Sequence, residues 1–342
     1  MSEANPTHPD AGTFGALSRR QVLATLAGTA LLPLAPYLAQ ADVAAFQAWL
    51  TEFKAEAVAN GITPATLDAS LFNVFGPIAK VIELDRTQPE SRLTLDEYLA
   101  KVISTDRIAR GQANLAANRE TLDAIGAQFG VQPRFIVALW GIETDYGRVT
   151  GNYSVIGSLA TLAYEGRRAE FFREELLHAL HIVQEGHIDA YNMIGSWAGA
   201  MGQTQFKPSS FRAYAVDYNG DGRRDIWGTL PDVFASIASY LSSFDWRADQ
   251  TWGREVLVPA GMDPNLATLD IEKTLPEWQA LGVRQLGGAP LPDRPLMASL
   301  LYPGDGPRSF LLYPNFKTIL KWNYSSYFGC AVGYLADGIE AG

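Results

Sequence analysis

The feature that most constrains this chain is the helical spacing of apolar residues around one glutamate, within residues 133–147. Pro133 suits the first turn of a helix, where its missing N–H costs nothing. The apolar positions that follow recur at helical spacing: Phe135, Leu139, Ile142 and Tyr146. Because a helix turns by about 100° per residue, Glu143 falls inside this apolar stripe, whereas Asp145 points away from it. The pattern therefore predicts a helix that carries one carboxylate on its buried face.

A carboxylate on a buried helix face loses hydration, which raises its pKa and keeps a proton bound near neutral pH. Such a group meets the requirement for a general acid that protonates the oxygen of a glycosidic bond. The alternative is an ordinary glutamate at the helix edge, in an ion pair with Arg134 or Arg148. Glu143 is therefore the candidate catalytic residue, and its contacts decide between these two interpretations.

Composition and charge exclude some classes of partner. The 342 residues are 47% hydrophobic and 19% charged, which is typical of globular proteins with two or three structural units. The net charge is −10, and no cluster of lysine and arginine occurs. Binding to nucleic acid or to an anionic membrane surface is therefore not expected.

The first residues resemble an export signal. Residues 18–23, SRRQVL, form a twin-arginine pattern, and an apolar run interrupted by two prolines follows over residues 22–38. Residues 39–41, AQA, match a small-residue cleavage site. We therefore predict a cleaved signal over residues 1–41 and a periplasmic location, the alternative being a membrane anchor. The single cysteine, Cys330, excludes an internal disulfide and a lipid-modified cysteine near the signal.

The rest of the chain is mainly helical by pattern. A loop is predicted over residues 72–92, and short strands are predicted over residues 255–258 and 309–313, in a region rich in proline and glycine. A helical pattern returns from Pro314 to Leu335. The predicted organisation is an N-terminal helical domain (42–112), a core (113–246), a small β-rich insertion (247–313) and a C-terminal helix that completes the core (314–342).

Residues 195–210, GSWAGAMGQTQFKPSS, are the second informative segment. Small residues allow the backbone to pack closely, while glutamine and serine side chains can hydrogen-bond sugar hydroxyl and acetamido groups in a groove. The alternative is a tight contact between two helices followed by a turn. Composition alone does not separate these interpretations.

Three segments together resemble the lytic murein transglycosylase B family: residues 141–148 (GIETDYGR), 195–210 and 215–222 (AVDYNGDG). The resemblance implies a mainly α (α+β) fold with a lysozyme-like catalytic core. It also implies cleavage of the glycan strands of bacterial peptidoglycan by a monomer that needs no cofactor for catalysis. Cell-wall synthases or amidases are the protein partners to be expected.

The resemblance also implies residue roles. Glu143 matches the family's single catalytic glutamate, and the remaining matches line the substrate groove: Ser196, Gln205, Arg167, Arg168, Tyr240 and Asn323. Ser196 and Gln205 are expected beside the glutamate, with the arginine pair holding substrate. Trp322 and Phe328 stand where the family has tyrosines, so we expect a stacking surface at both positions without the phenolic hydroxyl.

The chemistry expected of one acid differs from that of an ordinary glycosidase, which uses two carboxylates. Glu143 would protonate the leaving oxygen while the acetamido group of the same sugar attacks the anomeric carbon. Its carboxylate would then take the proton of the O6 hydroxyl and close a 1,6-anhydro ring. Ser196 or Asn323 would orient the acetamido group, and Gln205 would position Glu143. The alternatives are a hydrolytic muramidase and a non-catalytic peptidoglycan-binding protein.

Residues 217–228 contain the order D-x-N-x-D-G, the front half of an EF-hand calcium loop. The predicted ligands are the side chains of Asp217, Asn219 and Asp221 and the carbonyl of Arg223. The twelfth loop position is Gly228, and the resemblance suggests that Asp232 completes the shell of a structural Ca²⁺ ion instead. The alternative is a turn closed by its own side chains without metal.

Overall fold

Helices make up most of the protein, as the apolar spacing predicts. The computed structural model describes residues 35–87, 93–165, 168–303 and 306–341, with side chains described from Asp42 onwards. The helices of this part are α1 (Ala35–Ala59), α2 (Pro64–Leu71), α3 (Ala79–Arg86), α4 (Leu95–Val102), α5 (Thr105–Ala117), α6 (Arg119–Phe129), α7 (Pro133–Thr144), α8 (Val155–Glu165), α9 (Ala169–Gln184), α10 (Pro208–Tyr214), α11 (Leu230–Ser242), α12 (Leu275–Ala280), α13 (Pro314–Trp322) and α14 (Ser326–Glu340).

Local sequence explains where several helices begin and end. Thr94 and Glu97 form a capping box at the start of α4, and proline occupies the first turn of α7. Helix α7 ends because Asp145 adopts a left-handed backbone conformation with φ 52°. This ending fixes the direction in which the loop leaves the helix, directly after Glu143 and Thr144.

One hydrophobic core surrounds α7. Helices α5, α11 and α14 pack against it, and α13 packs against α14. The core residues there include Trp140, Phe234, Phe316 and Ile339, all at most 3% exposed. Helix α7 is buried on nearly all sides from Phe135 to Gly141, which leaves its last turn to reach the surface.

A second core joins the first helices to the middle of the chain. Side chains of α1 and α2 share this cluster with α8, α9 and α10, for example Phe46, Leu159 and Phe211. Trp322, at the end of α13, packs against both cores. The last turn of α13 therefore lies where the two cores meet, and the site is built at this junction.

The strands form two separate sheets. Strands β1 (Tyr153–Ser154) and β2 (Ile194–Gly195) pair antiparallel, with Tyr153 opposite Gly195. The other strands are β3 (Gly253–Leu257), β4 (Lys273–Thr274), β5 (Arg284–Gln285), β6 (Met297–Leu301) and β7 (Ser309–Leu312). They form an antiparallel sheet in the order β4-β6-β7-β3-β5. A third core lies on this sheet, around Trp278.

The mainly helical fold class and the strands of the 247–313 region are confirmed. Two details are wrong. The region predicted as a loop over residues 72–92 contains α3, whose eight residues were too few for a clear helical pattern. The C-terminal helix is two helices, because Asn323 leaves α13 in an extended conformation and Ser325 caps α14. The four domain boundaries stay a prediction, and no membrane-spanning helix occurs in the described ranges.

Candidate active site

Glu143 lies in the last turn of α7, at the point where the buried helix reaches the surface. Its Oε1 accepts a hydrogen bond of 2.7 Å from Nε1 of Trp322. Burial raises the pKa of Glu143 to about 7, although the Trp322 hydrogen bond lowers it. The carboxyl group therefore holds a proton at neutral pH for about half of the time, as a general acid requires.

The ion pairs considered for Glu143 are absent from the described part of the chain. Arg134 pairs instead with Asp337 and Glu340, and Arg148 pairs with Asp145. An ionised Glu143 would have no arginine or lysine partner there. The interpretation of Glu143 as a surface ion-pair residue is therefore wrong.

Asp145, the nearest other acid in the sequence, forms ion pairs with arginines. Its carboxylate contacts Arg107 at 3.2 Å, Arg110 at 2.6 Å and Arg148 at 3.2 Å. Burial alone would raise the pKa of Asp145, but the hydrogen bonds and charges of Arg107 and Arg110 hold it below its usual value. Asp145 thus faces the cations of α5 and does not form a pair of carboxylates with Glu143.

Aromatic rings hold Trp322 in place. The Tyr240 ring meets it edge-on at a centroid distance of 4.7 Å, and the Phe206 ring lies 5.1 Å away. The hydroxyl of Tyr240 donates to the carbonyl of Lys321 at 2.6 Å, and burial raises the pKa of Tyr240 to about 12. Tyr240 is only 7% exposed, and its ring also contacts Tyr214 and Phe244.

A small cavity of about 110 Å³ opens beside this cluster. Residues from the end of α13, from α11 and from the segment 195–210 line this cavity together. They are Gln205, Phe206, Lys207, Ser210, Tyr240, Lys321 and Trp322. Three of the predicted groove residues, Gln205, Tyr240 and Trp322, thus line one cavity, and Trp322 connects it to Glu143.

Residues 195–207 form tight turns that lead from β2 into α10, and not a contact between helices. Met201 bridges both Gly195 and Phe206, and the Ser196 hydroxyl accepts the N–H of Ala200 at 3.0 Å. Gln205 has φ 50°, a left-handed conformation that is uncommon outside glycine. The small residues therefore serve close backbone approach, as predicted.

Among the described residues, Gln205 makes no hydrogen bond to Glu143, so its predicted role in positioning Glu143 stays a prediction. Its amide donates to the carbonyls of Thr150 and Gly202. The neighbouring Gln203 makes the link to α7 instead. Its Oε1 accepts from Nε1 of Trp140 at 2.8 Å, while its own amide donates to the carbonyl of Trp227.

Tyr98 on α4 is a site residue that sequence reasoning missed. After burial, the charge of Glu143 is the next cause that raises the pKa of this half-buried tyrosine. The two groups are thus within electrostatic reach of each other. Only the fold could reveal this, because Tyr98 belongs to an ordinary amphipathic pattern 45 residues earlier in the chain.

The remaining predicted groove residues have different surroundings. Asn323 is exposed, and its side chain makes no hydrogen bond within the described ranges. Phe328 is only 5% exposed and belongs to the core around α7, so the expected stacking surface at this position is wrong.

Of the predicted arginine pair, Arg168 contacts Asp85 at 3.5 Å and lies over the Phe172 ring. Arg167 lies outside the described residues.

The loop predicted to bind calcium is closed by its own hydrogen bonds. The Asp217 carboxylate accepts the backbone N–H groups of Gly220, Asp221 and Gly222. Asp232 is fully buried and accepts three backbone N–H groups, including that of Tyr218 at 2.9 Å. Among the described residues, no three His, Cys, Asp or Glu side chains are grouped to hold a metal ion. Calcium binding by this loop therefore stays a prediction.

The chain is similar to proteins that act on murein. The family model described as "Transglycosylase SLT domain" matches residues 45–337. Membrane-bound lytic murein transglycosylase B of Escherichia coli (strain K12) is 35% identical over 251 residues, which cover 71% of this chain and 66% of that relative.

Solved structures extend the similarity to the fold. SltB3 from Pseudomonas aeruginosa, in complex with NAG-NAM-pentapeptide or with NAG-anhNAM-pentapeptide, is 47% identical, with a TM-score of 0.84 over 87% of this chain and 80% of that chain. Slt35 from Escherichia coli, in complex with calcium, is 29% identical, with a TM-score of 0.74 over 85% of this chain and 92% of that chain. Together with the single acid held in the last turn of α7, these similarities establish that the chain belongs to the transglycosylase SLT family of lytic transglycosylases.

Proposed function

We propose that this protein cleaves the β-1,4 bond between N-acetylmuramic acid and N-acetylglucosamine in peptidoglycan and leaves a 1,6-anhydro-N-acetylmuramic acid end. The observation that carries the proposal is Glu143, a half-buried residue at the end of α7 whose pKa is raised to about 7 and which has no carboxylate partner in the described part of the site. The names of the SltB3 ligands, NAG-NAM-pentapeptide and NAG-anhNAM-pentapeptide, match the substrate and product of this reaction.

The reaction uses Glu143 twice. In its acid form Glu143 protonates the glycosidic oxygen as the bond to the anomeric carbon breaks. The acetamido oxygen of the same sugar attacks that carbon from the other face and takes the place of a second carboxylate. The ionised Glu143 then accepts the O6 proton, O6 displaces the acetamido oxygen, and the anhydro ring closes. Glu143 ends protonated, and no water is consumed.

Two predicted groove residues have suitable side chains for the acetamido group. The Ser196 oxygen accepts an N–H within its turn, which leaves the hydroxyl proton to donate to an acetamido carbonyl. Asn323 presents its amide at the surface one residue after Trp322. We assign these two residues to orientation of the acetamido group, and Arg167 and Arg168 to more distant parts of the glycan or its peptide.

The test compares Glu143→Gln with Asp145→Asn on purified peptidoglycan, with release of soluble muropeptides as the readout. We expect Glu143→Gln to lose at least roughly a thousandfold in rate, because the amide can neither give nor take the proton. Asp145→Asn should retain activity once corrected for the folded fraction. Substantial activity in Glu143→Gln would refute the assignment, as would loss of activity in a well-folded Asp145→Asn.

Calcium binding remains a proposal for the loop at residues 217–222. Its oxygen donors, Asp217, Asn219 and Asp221, are of the type that Ca²⁺ prefers, and the Slt35 structure is a complex with calcium. Because Gly228 stands where an EF-hand loop has its bidentate glutamate, we propose weak binding. Calcium at millimolar concentration should raise the melting temperature of the wild type and not that of Asp221→Asn; equal melting curves with chelator would refute a structural ion.

Location and assembly are also proposals. We propose export to the periplasm by the twin-arginine route, on the basis of Arg19 and Arg20. Replacing both with lysine should retain the protein in the cytoplasm, as cell fractionation would measure, and unchanged export would refute this route.

We propose further that the protein acts on glycan strands as a monomer and that it works beside cell-wall synthases or amidases. Sedimentation as a dimer would contradict the proposed monomer.

A further inference from the structure

We propose that Trp322 assigns different tasks to the two oxygens of Glu143. In this assignment the indole N–H anchors Oε1, while Oε2 carries the proton that is given to the substrate and later taken back. Trp322 is then a positioning residue and acts on the reaction only through Glu143. The inference rests on the proposed role of Glu143 as acid and base, and it adds which oxygen does the work and what holds it there.

The indole group restricts which carboxyl oxygen can hold the proton. An indole N–H donates one hydrogen bond and never accepts one. Since Oε1 of Glu143 lies 2.7 Å from Nε1 of Trp322, Oε1 must be the acceptor in both protonation states of Glu143. The carbonyl oxygen of a carboxylic acid is a stronger acceptor than its hydroxyl oxygen, so the hydrogen bond from the indole favours an acid form with the proton on Oε2.

The indole ring is held firmly enough to impose this geometry. Phe206 and Tyr240 contact the ring from two elements, and the Tyr240 hydroxyl fixes the carbonyl of Lys321, the residue just before Trp322. Glu143 in turn is on a helix with a fully buried body. Both partners of the hydrogen bond are thus carried by packed helices, α13 and α7, which reduces the freedom of the carboxyl group to rotate.

Charged groups around Glu143 do not replace the indole. Arg107 and Arg110 on α5 and Arg148 after α7 pair with Asp145. Among the described residues, neighbouring helices also bring titratable groups of α4, α11, α13 and α14 near this site: Tyr98, Tyr240, Lys321 and Tyr327. The Trp322 hydrogen bond opposes the effect of burial and keeps the proton affinity of Glu143 from rising further.

A tyrosine at this position would not make the same assignment. A phenolic hydroxyl both donates and accepts. It can therefore accept a proton from a protonated carboxyl oxygen as well as donate to an ionised one. The indole N–H can only donate, so it cannot accept a proton from the carboxyl group.

The test uses two substitutions of the same type. Trp322→Phe removes the anchoring N–H, and Trp227→Phe is the matched control, because the buried indole N–H of Trp227 has no hydrogen-bond partner in the described chain. The first readout is the pKa of the Glu143 carboxyl group, from ¹³C-labelled glutamate and assigned by its disappearance in Glu143→Gln. We expect the pKa to rise above about 7 in Trp322→Phe and to stay unchanged in Trp227→Phe.

The second readout is steady-state kinetics. Because an anchoring hydrogen bond to a charged group is lost in the reacting state, kcat should fall roughly tenfold or more in Trp322→Phe, with KM changed less than about threefold. The alkaline limb of the pH profile should move upward together with the pKa. An unchanged pKa of Glu143 in folded Trp322→Phe would overturn the proposal, and so would a loss confined to KM.

Failure of this inference is separable from failure of the proposed function. If Glu143 is not the catalytic acid, Glu143→Gln stays active, while the pKa change in Trp322→Phe can still be measured. If Trp322→Phe does not fold, a benzothiophene analogue of tryptophan at position 322 keeps the ring shape and lacks only the N–H. The same rise in pKa is expected for the analogue, and an unchanged value would overturn the anchoring role.

Discussion

The buried acid should reduce the stability of the protein at alkaline pH, and Glu143→Gln should recover that loss. The pKa of Glu143 is raised from 4.5 to about 7 in the folded protein. At about 1.4 kcal/mol per pKa unit, full ionisation costs ~3 kcal/mol of folding free energy, and the partial exposure of the side chain makes this an upper value. The glutamine side chain in the variant keeps an oxygen that can accept from Trp322 and carries no charge to bury.

The sign of the effect follows from proton binding. Below pH 4.5 the carboxyl group is protonated in both the folded and the unfolded state, so it costs nothing. Between 4.5 and about 7 the folded state keeps a proton that the unfolded chain has lost, so stability falls as the pH rises. Above about pH 7 the loss is complete and constant. Glu143→Gln should therefore match the wild type at about pH 4.5 and exceed it at about pH 8.5.

The assay is thermal unfolding of the wild type and the variant at these two pH values. A gain of ~2–3 kcal/mol corresponds to roughly 5 °C in melting temperature for a protein of this size. Glu52→Gln on the exposed face of α1 is the matched control, and it should show no such pH-dependent difference. An equal difference between Glu143→Gln and wild type at both pH values would refute the reasoning, since it would mean that Glu143 is not destabilised by burial.

Three further substitutions test the packing around the site by thermal unfolding. Asp145→Asn removes the carboxylate that pairs with three arginines and should lower the free energy of unfolding by about 1–3 kcal/mol. The reaction product should stay the same, and a changed product would contradict the exclusion of Asp145 from the chemistry. Gly333→Ala puts a methyl group 2.2 Å from the Trp252 ring and should cost about 1–3 kcal/mol; an unchanged melting temperature would contradict the tight approach of α14. Asn315→Ala removes a fully buried amide with three hydrogen bonds to the backbone and should cost about 2–3 kcal/mol, whereas a neutral effect would mean that water replaces it.

The helix that carries the acid could be predicted from sequence because its signals are local. Proline at the start, apolar residues at helical spacing and one acid in the stripe all lie within residues 133–147. These signals predicted that Glu143 and Asp145 point in different directions; in the structure Asp145 lies just past the end of the helix, in a left-handed conformation. The structure adds why Asp145 does not act as a second acid: two of its three arginine partners come from α5, more than 30 residues earlier.

The partner of the acid could not be predicted in the same way. Trp322 is 179 residues away from Glu143, and its indole looked like a stacking surface for sugar. Only the junction of the two cores brings the rings of Phe206 and Tyr240 around it. A pattern of residue types predicts that polar and aromatic groups line a groove. It does not predict which of these groups contact each other.

In residues 195–210, too, the sequence predicts the types of residue but not their contacts, even for two glutamines that are close in the chain. Gln203 and Gln205 are two residues apart and equally polar, yet only Gln203 reaches α7. The difference follows from the left-handed backbone at Gln205, which turns its side chain towards Thr150. Likewise, the order D-x-N-x-D-G predicts oxygen donors, but the backbone N–H groups that occupy Asp217 depend on the loop conformation.

The most direct measurement is digestion of purified peptidoglycan in H₂¹⁸O followed by mass spectrometry of the new sugar ends. If Glu143 performs both proton transfers and O6 closes the ring, every new end is a 1,6-anhydro sugar, one water lighter than a reducing end and free of ¹⁸O. New reducing ends that carry ¹⁸O would contradict the account, because water would then be the nucleophile and the single buried acid would not suffice.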